Sequence, residues 1–346
     1  MLTSAHPLAS RRVSISLAGA AVFALALSAC ATASPSDDTS SNDAPSNEVT
    51  LVVHDSFPND EFAAAASAAT GYDVRVISAG DGGELTSQLV LTQAAPIADA
   101  FFGVDNVFVS RLLDAGVADE SAVDVVPVTL GATCINIDPA WFAEQGIAEP
   151  TSYEDLADET YRGLTVLLDP TTSTTGASFL IGTVSRFGEP GFAEYWQQLA
   201  ENEVRIEQGW SAAYNGQFTQ GGESGTYPIV LSYSSSPAWT VTEDGSATTT
   251  KALLDTCSSQ IEYAGVLAGS ANPEGGAAVV EYMLSREFQD TIADTMYVYP
   301  ADDAASIPAD WERFAPLPIA PHDLTPSEIG AGREPWLRAW SDATGW

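Results

Sequence analysis

One stretch of the chain, Gln208 to Trp239, has the residue types of a small-molecule binding site. It contains a short apolar strand over residues 229–231, and that strand runs directly into a segment of hydroxyl and aromatic side chains. The segment consists of Ser232, Tyr233, Ser234, Ser235, Ser236 and Trp239. In open α/β sheets, ligands bind beyond the carboxyl ends of strands, and aromatic walls with a few convergent polar groups form small-molecule pockets. The alternative interpretation is a serine-rich surface loop.

Two other loops are suited to the polar end of a ligand. Gly80 to Gly83 follows a predicted strand and precedes a predicted helix, so its backbone N–H groups can point at an anion or a phosphate. Asp169 to Gly176 repeats this arrangement and adds four threonines and one serine as hydrogen-bond donors. Because neither loop contains lysine or arginine, the sequence disfavours a bare, highly charged phosphate as the ligand.

Alternating strands and helices must position these loops. The apolar and β-branched runs predict strands over residues 49–55, 73–78, 98–104, 125–138, 164–168, 204–207, 229–231 and 260–265. Helical spacing and caps predict helices over residues 60–70, 84–93, 107–115, 139–145, 153–158, 177–187, 191–201, 273–293 and 335–342. This alternation is typical of an α/β fold in which helices cover the faces of a parallel sheet.

The charge of the chain narrows the range of partners. Its 346 residues carry 47 acidic and 12 basic side chains, a formal net charge of −35, and Lys251 is the single lysine. Nucleic acids and anionic membrane surfaces are therefore excluded as expected partners, whereas a cationic ligand is compatible with the charge. The alternative is a solubility adaptation that says nothing about a site.

The N-terminus has the pattern of an export signal. Arg11 and Arg12 precede an apolar segment over residues 13–27, which is too short for an ordinary membrane span. The sequence Leu27-Ser28-Ala29-Cys30 resembles a bacterial lipobox, in which the cysteine receives lipid. We therefore expect a lipoprotein signal peptide over residues 1–29 and lipidation at Cys30. A disordered tether over residues 30–48 would follow, with the protein exported and lipid-anchored to the outer face of the cell membrane. A plain signal peptide is the alternative, and both Sec and twin-arginine export remain open.

Two further cysteines, Cys134 and Cys257, remain in the body of the chain. An exported protein folds in an oxidising compartment, so we expect these two cysteines to form a disulfide. Neither lies beside a cluster of histidine, aspartate or cysteine in the sequence, which disfavours a metal site.

Six motifs in one order resemble a known family. They are His54-Asp55-Ser56-Phe57, Asp81-Gly82, Gly103-Val104-Asp105-Asn106, Asp169-Pro170-Thr171-Thr172-Ser173-Thr174, Gly209-Trp210-Ser211-Ala212-Ala213-Tyr214 and Leu231-Ser232-Tyr233-Ser234-Ser235-Ser236-Pro237-Ala238-Trp239. In this order and spacing, between residues 51 and 340, they resemble the periplasmic-type solute-binding proteins of ABC importers, and within these the thiamine-binding branch.

The resemblance implies a type II fold with two hinge-linked lobes, each with a central mixed sheet flanked by helices. The first lobe would comprise residues 49–133 and 257–300, and the second lobe residues 134–256. Residues 301–346 would form a C-terminal helical packing segment. The resemblance also implies a monomer that binds thiamine or a thiamine phosphate, without any other cofactor, and delivers it to an ABC transporter permease.

The resemblance also implies roles for single residues. Asp81 and Gly82 would form a contact turn, and Ser173 and Thr174 would bind a hydroxyl or a phosphate at a helix start. The other implied contacts are the cleft residue Trp210, the donors Tyr233, Ser234, Ser235 and Ser236, and the aromatic faces Trp239 and Tyr297. The chemistry of thiamine itself adds a contact, because its exocyclic amine can pair with a carboxylate such as that of Asp81 or Asp105. His54 stands where the family often has a tyrosine, and it would contact a phosphate of the ligand. The family often has a tryptophan in place of Tyr297, and it can have a tyrosine in place of Trp239.

Two other functions compete with this interpretation. The same fold could bind a polyamine or a ferric ion, although ferric receptors favour adjacent tyrosines and this chain has no Tyr-Tyr pair. An enzyme is the other alternative, with Cys134 as a nucleophile if its thiol were free. His54 and His322 have no nucleophile motif nearby, so the sequence predicts a binding protein without catalytic or metal-ligating residues.

Overall fold

The computed structural model describes residues 47–346 with the exception of Glu223. The strands are β1 (Glu48–Val53), β2 (Asp73–Ser78), β3 (Ala100–Asp105), β4 (Val126–Ile137), β5 (Thr165–Leu168), β6 (Arg205–Glu207), β7 (Ile229–Tyr233), β8 (Lys251–Val266) and β9 (Tyr299–Pro300). The helices are α1 (Asn59–Thr70), α2 (Gly82–Leu91), α3 (Val109–Asp114), α4 (Pro139–Gln145), α5 (Tyr153–Leu156), α6 (Thr174–Glu201), α7 (Trp210–Gln217), α8 (Pro273–Leu284), α9 (Arg286–Gln289), α10 (Ile292–Met296), α11 (Trp311–Phe314) and α12 (Pro326–Thr344). Two short 3-10 helices, Glu159–Tyr161 and Ser236–Thr240, complete the described elements.

The described strands form one mixed sheet in the order β2-β1-β3-β8-β4-β7-β5-β6, and β9 pairs with β4. At one end of the sheet, β1 pairs in parallel with β2 and β3. At the other end, β5 pairs in parallel with β6 and β7. The central pairs are antiparallel. The alternation of strands and helices predicted the parallel pairs, and the mixed sheet that the resemblance implies is confirmed by the antiparallel pairs at the centre.

The two long central strands connect the two ends of the sheet. The beginning of β4 pairs with the end of β8, which also pairs with β3. The end of β4 pairs with β7 and with the beginning of β8. We call the region around β1, β2 and β3 the first lobe and the region around β5, β6 and β7 the second lobe. The residue limits that the sequence predicts for the lobes remain a prediction.

The predicted disulfide lies where the two long strands pass between the lobes. Their register shifts between Thr133 and Ile135, and Cys134 in this interval is bonded to Cys257. Both cysteines are fully buried. The expected disulfide is therefore present in this structure, and Cys134 in this form has no thiolate that could act as a nucleophile.

Buried apolar side chains form two large clusters. One lies mainly in the second lobe and extends to α12, whose Trp340 meets Trp196 of α6 edge to face at 5.9 Å. The other, which contains Phe62, Phe102 and Val280, packs α1 and α8 against the first lobe's strands. Helix α12 starts at a capping box of Thr325 and Glu328, because these two side chains satisfy the free amides of the first turn. It begins nine residues before the predicted start of the C-terminal helix at residue 335.

Several element boundaries differ from the sequence predictions. The predicted helix over residues 273–293 is divided into α8, α9 and α10, because Ser285 is extended and caps α9 through its hydroxyl. The break predicted between residues 187 and 191 lies inside α6, where Gly188 has φ 72° and Pro190 follows. Strand β8 begins at Lys251, nine residues before the predicted start at residue 260.

No described helix is long and apolar enough to cross a membrane. The predicted signal peptide over residues 1–29 and the lipidation site Cys30 lie outside the described residues. The predicted tether over residues 30–48 also lies outside them, apart from its last two residues, and Glu48 already belongs to β1.

Candidate ligand-binding site

A cavity of about 550 Å³ is lined by residues of both lobes. Its volume falls in the range of roughly 300–1,000 Å³ that is usual for small-molecule sites. Eight of the residues predicted from the sequence line it: His54, Asp81, Thr174, Trp210, Tyr233, Ser236, Trp239 and Tyr297. The structure thus brings together residues from six separate chain segments. The other predicted residues, Gly82, Ser173, Ser234, Ser235 and Asp105, are not among the lining residues.

Asp81 joins the lobes at one side of the cavity. Its Oδ1 accepts hydrogen bonds from the backbone N–H of Gly82 at 2.6 Å and of Thr174 at 3.1 Å. Its Oδ2 accepts from the backbone N–H of Trp210 at 2.9 Å. Thr174 and Trp210 are the first residues of α6 and α7, so a carboxylate of the first lobe caps two helix N-termini of the second lobe. This arrangement is favourable because helix N-termini carry a partial positive charge.

The lobes approach so closely beside Asp81 that a larger residue than Gly82 would collide. A Cβ atom at this position would lie 2.2 Å from Cγ2 of Thr174 and 2.8 Å from the carbonyl oxygen of Gly103. The glycine therefore serves the contact between the lobes. Ser173 has a related role, because its buried Oγ accepts from the backbone N–H of Gly176 and caps α6.

Aromatic side chains form a wall of the cavity. The rings of Trp210 and Tyr214 are stacked at 5.0 Å with an interplanar angle of 11°. Nε1 of Trp210 donates a hydrogen bond to Oγ of Ser232 at 2.8 Å, which fixes the indole. The hydroxyl of Tyr233 lies 3.3 Å from that of Thr175, and burial raises the pKa of this phenol. These rings can therefore offer neutral, ordered faces to a ligand.

A second aromatic pair lies at the mouth of the cavity. Trp239 and Tyr297 meet edge to face at 4.8 Å. Trp239 keeps 60% of its surface exposed. The backbone of Tyr297 has φ 54° at the end of α10, a conformation that is uncommon for a residue other than glycine.

The serine run after β7 is mostly used to hold its own turn. Oγ of Ser236 lies 2.7 Å from Oγ of Ser232 and accepts from the backbone N–H of Tyr233 at 3.1 Å. Oγ of Ser235 donates to the carbonyl oxygen of Tyr297 at 2.5 Å. Ser234 is buried, and its Oγ has no hydrogen-bond partner among the described residues. Only Ser236 of the four serines lines the cavity.

Asp105 lies apart from the cavity lining, in the interior of the first lobe. Its Oδ1 accepts from the backbone N–H groups of Val107 and Phe108 at 3.0 and 3.1 Å. Burial raises its pKa well above the usual value, the two amides lower it, and the charges of Glu262 and Asp81 raise it further. In this structure Asp105 therefore stabilises the turn that leads into α3.

Sequence reasoning did not assign Glu262 to the site, yet this residue lines the cavity. Its Oε2 accepts from the hydroxyl of Thr129 at 2.7 Å, and its Oε1 lies 3.4 Å from Nε2 of His54. A signal was present in the sequence. Ser258, Gln260 and Glu262 alternate along a strand whose other residues are largely apolar, and such spacing places the three polar side chains on one face.

The electrostatic character of the cavity is negative. Its lining contains four carboxylates, which belong to Asp55, Asp81, Glu84 and Glu262, and contains neither lysine nor arginine. Across the described part of the chain, no group of three or more His, Cys, Asp or Glu side chains is placed to hold a metal ion. A cation with flat rings is the ligand chemistry that such a lining fits.

A comparison with protein-family models identifies the family of this chain. The model of the bacterial extracellular solute-binding proteins matches residues 100–319. The chain belongs to this family. Its two-lobed α/β fold was predicted from the sequence and is confirmed by this match and by the solved structures below.

Sequence relatives and solved structures agree on this assignment. The thiamine-binding periplasmic protein of Escherichia coli (strain K12) is 28% identical over 311 residues, which are 85% of this chain and 93% of the relative. A solved periplasmic thiamin-binding protein superposes with a TM-score of 0.76 at 26% identity, over 86% of this chain and 96% of that one. Iron-bound HitA from Pseudomonas aeruginosa has a TM-score of 0.67 at 20% identity, over 86% and 99%, and so shows the fold alone.

Proposed function

We propose that this member of the family is an extracytoplasmic receptor that captures thiamine or a thiamine phosphate and delivers it to an ABC importer. The observation that carries the proposal is the lining of the cavity, in which aromatic rings lie beside carboxylates, with neither lysine nor arginine. Relatives whose names state thiamine binding support the choice of ligand.

The chemistry of thiamine matches the groups on the cavity walls. Its thiazolium ring is a permanent cation, which aromatic faces attract by about 0.5–2 kcal/mol each. Its aminopyrimidine ring is flat and can stack on the Trp210 and Tyr214 pair or against Tyr233. Its hydroxyethyl tail would lie near Asp81 and Thr174. Trp239 and Tyr297 would cover the ligand at the mouth.

Four other predicted residues would support the side chains that contact the ligand. Gly82 would allow the lobes to close, and Ser173 would shape the start of α6. Ser234 and Ser235 would hold the turn that presents Ser236. Binding would shift the protein toward the closed arrangement of the lobes, because the ligand contacts both of them.

The cellular setting is part of the same proposal. After export, lipidation at Cys30 would hold the receptor at the outer face of the cell membrane. It would act as a monomer and pass its ligand to the permease of an ABC transporter. It would not act as an enzyme, in keeping with the family to which the chain belongs.

Isothermal titration calorimetry of the purified mature protein tests the ligand. We expect tight, saturable binding of thiamine or of its monophosphate or diphosphate, and the three titrations would rank these forms. Spermidine, putrescine and ferric citrate serve as the competing ligands. Absence of binding by all three forms of thiamine would contradict the proposal.

Two tryptophan variants test whether the ligand occupies this cavity. Trp239→Ala removes an exposed ring at the cavity mouth and should weaken binding of thiamine about 3- to 30-fold, the equivalent of one cation–π contact. Trp346→Ala removes a ring of 45% exposure that does not line the cavity, and it should leave the affinity unchanged. Equal affinities of the two variants would place the ligand elsewhere.

A polyamine is the second candidate, because four carboxylates line the cavity. A polyamine site needs several carboxylates around a chain of separate positive charges. Saturable binding of spermidine together with absence of thiamine binding would select this alternative.

A further inference from the structure

The side chain of Glu262 lies at a distinctive place in the cavity. Glu262 belongs to β8, one of the two strands that connect the lobes, and is only 7% exposed. Gln260 on the same face of the strand donates a hydrogen bond to Oγ1 of Thr174 in the second lobe at 3.2 Å. Glu262 thus lies on the floor of the cavity, beside the point where the lobes meet.

The protein groups around Glu262 leave its charge only partly compensated. Oε2 accepts one hydrogen bond from the hydroxyl of Thr129. The nearest basic group is His54, whose Nδ1 accepts from the backbone N–H of Ser56 at 3.2 Å. In the neutral ring the proton is therefore on Nε2, which is 3.4 Å from Oε1 of Glu262 and makes no hydrogen bond to any described residue. The hydroxyl of Thr129 is thus the one hydrogen-bond donor to this carboxylate among the described side chains.

The other three carboxylates of the cavity are placed differently. Asp81 accepts three backbone N–H groups, each at a helix N-terminus, so the protein already compensates its charge. Asp55 and Glu84 are exposed at the rim, where water screens them. Glu262 is thus the carboxylate that combines deep burial with the weakest compensation from the protein.

The negative charge of Glu262 also affects the pKa of a neighbouring side chain. Burial raises the pKa of Tyr233, and the negative charge of Glu262 raises it further. Tyr233 lines the cavity next to Glu262, so the region between them has a negative potential. A positive charge on a ligand would find its most favourable position there.

We propose that Glu262 is the counter-ion that selects a cationic ligand over a neutral molecule of the same shape, and that the hydrogen bond from Thr129 orients it. This inference rests on the proposed function, because it names thiamine as the ligand that brings the charge. It assigns the larger part of the discrimination of charge to one buried side chain, and the smaller part to the cation–π contacts of the aromatic walls.

A neutral analogue of thiamine separates charge from shape. In the thiophene analogue a carbon atom replaces the thiazolium nitrogen, so the size is kept and the positive charge is lost. Calorimetry with the unaltered protein should give an affinity for thiamine at least about 10-fold higher than for the analogue, since the attraction between opposite charges a few ångströms apart in a buried site is worth that factor or more.

The Glu262→Gln variant tests the residue itself. It keeps the size of the side chain and the acceptor for Thr129. We expect it to weaken thiamine binding about 10- to 100-fold and to change binding of the neutral analogue less than about threefold. Glu281→Gln is the matched control, because it removes an equal charge from an exposed position of α8 that does not line the cavity. We expect it to change neither affinity by more than about threefold.

The outcomes separate the inference from the proposed function. Equal binding of thiamine and its neutral analogue by the unaltered protein would overturn the role of Glu262 and leave the thiamine receptor standing. Binding of neither compound would refute the receptor itself. A Glu262→Gln protein that loses both ligands equally would show a role in shape only. If this variant does not fold, equal binding of the two compounds by the unaltered protein still overturns the role of Glu262.

Discussion

Replacing Asp81 with asparagine removes a negative charge at the contact between the lobes while keeping the size of the side chain. In the structure the two carboxylate oxygens accept N–H groups from Thr174 and Trp210 of the second lobe at 3.1 and 2.9 Å. An asparagine has one acceptor oxygen and one NH2 group. The NH2 group would therefore face the backbone N–H of either Thr174 or Trp210, and that contact would place a donor against a donor.

The size of the effect follows from the contacts that change. A hydrogen bond to a charged group contributes about 1.5–3 kcal/mol. Asp81→Asn loses one such bond and weakens the other, so the closed arrangement should lose about 3 kcal/mol relative to the open one. This corresponds to about a 100-fold change in the ratio of closed to open molecules. The backbone hydrogen bond from Glu84 to Thr172 at 3.0 Å remains and limits the effect.

Small-angle X-ray scattering measures this change without a ligand. The Asp81→Asn protein should have a larger radius of gyration than the unaltered protein, and saturating thiamine should reduce it. The apparent affinity should fall in proportion to the closed fraction. Asp55→Asn is the control, because Asp55 also lines the cavity but accepts its hydrogen bond from Gly80 of the same lobe.

Two results would refute this reasoning. One is an unchanged radius of gyration together with an affinity within threefold of that of the unaltered protein. The other is an equal expansion of the Asp55→Asn protein, which would show that the negative charge of the cavity, and not the bridge, sets the opening.

Two further predictions concern stability. The double variant Cys134→Ala/Cys257→Ala should unfold with a free energy lower by about 2–5 kcal/mol, because the disulfide closes a loop of 123 residues; chemical denaturation measures this, and a loss below 1 kcal/mol would contradict it. Asp105→Asn keeps an acceptor for the amides of Val107 and Phe108 and removes a buried charge. Burial raises the pKa of Asp105 in the folded protein. Above that pKa the ionised carboxylate lowers the free energy of unfolding, and this loss disappears as the pH falls toward the usual pKa of aspartate. The variant should therefore melt at a higher temperature at pH 8, with a gain that shrinks toward pH 4; a gain that grows at low pH would contradict this.

The sequence predicted those parts of the site that are local. Asp81 and Thr174 each follow a strand and begin a helix, and such a strand-loop-helix unit can be recognised within about ten residues. Trp210 and Tyr233 were predicted in the same way, because Trp210 begins a helix soon after a short strand and Tyr233 ends a strand. The disulfide could be predicted because the sequence contains only two cysteines besides Cys30.

The parts that depend on long-range pairing were missed. Residues 251–259 of β8 mix polar and apolar side chains without regular alternation, because the strand bulges near Cys257 and belongs to both lobes. Its length, and with it the position of Glu262, is set by pairing with β4 across more than 100 residues. The contact between Asp105 and the ligand stays a prediction; in the structure its carboxylate accepts from two nearby backbone amides, and the residue is not among those that line the cavity.

The bond between Cys134 and Cys257 also affects how the chain responds to force. Strands β5, β6 and β7 and helices α6 and α7 all lie inside the ring that it closes. When the two ends of the protein are pulled, the force passes through the disulfide and not through the 123 residues of the ring. The extended chain is therefore shorter by roughly 400 Å than it would be without the disulfide. Stretching in an optical trap would therefore unravel the first lobe and leave the second lobe as a closed ring. Reducing the bond would release the missing length in one added step.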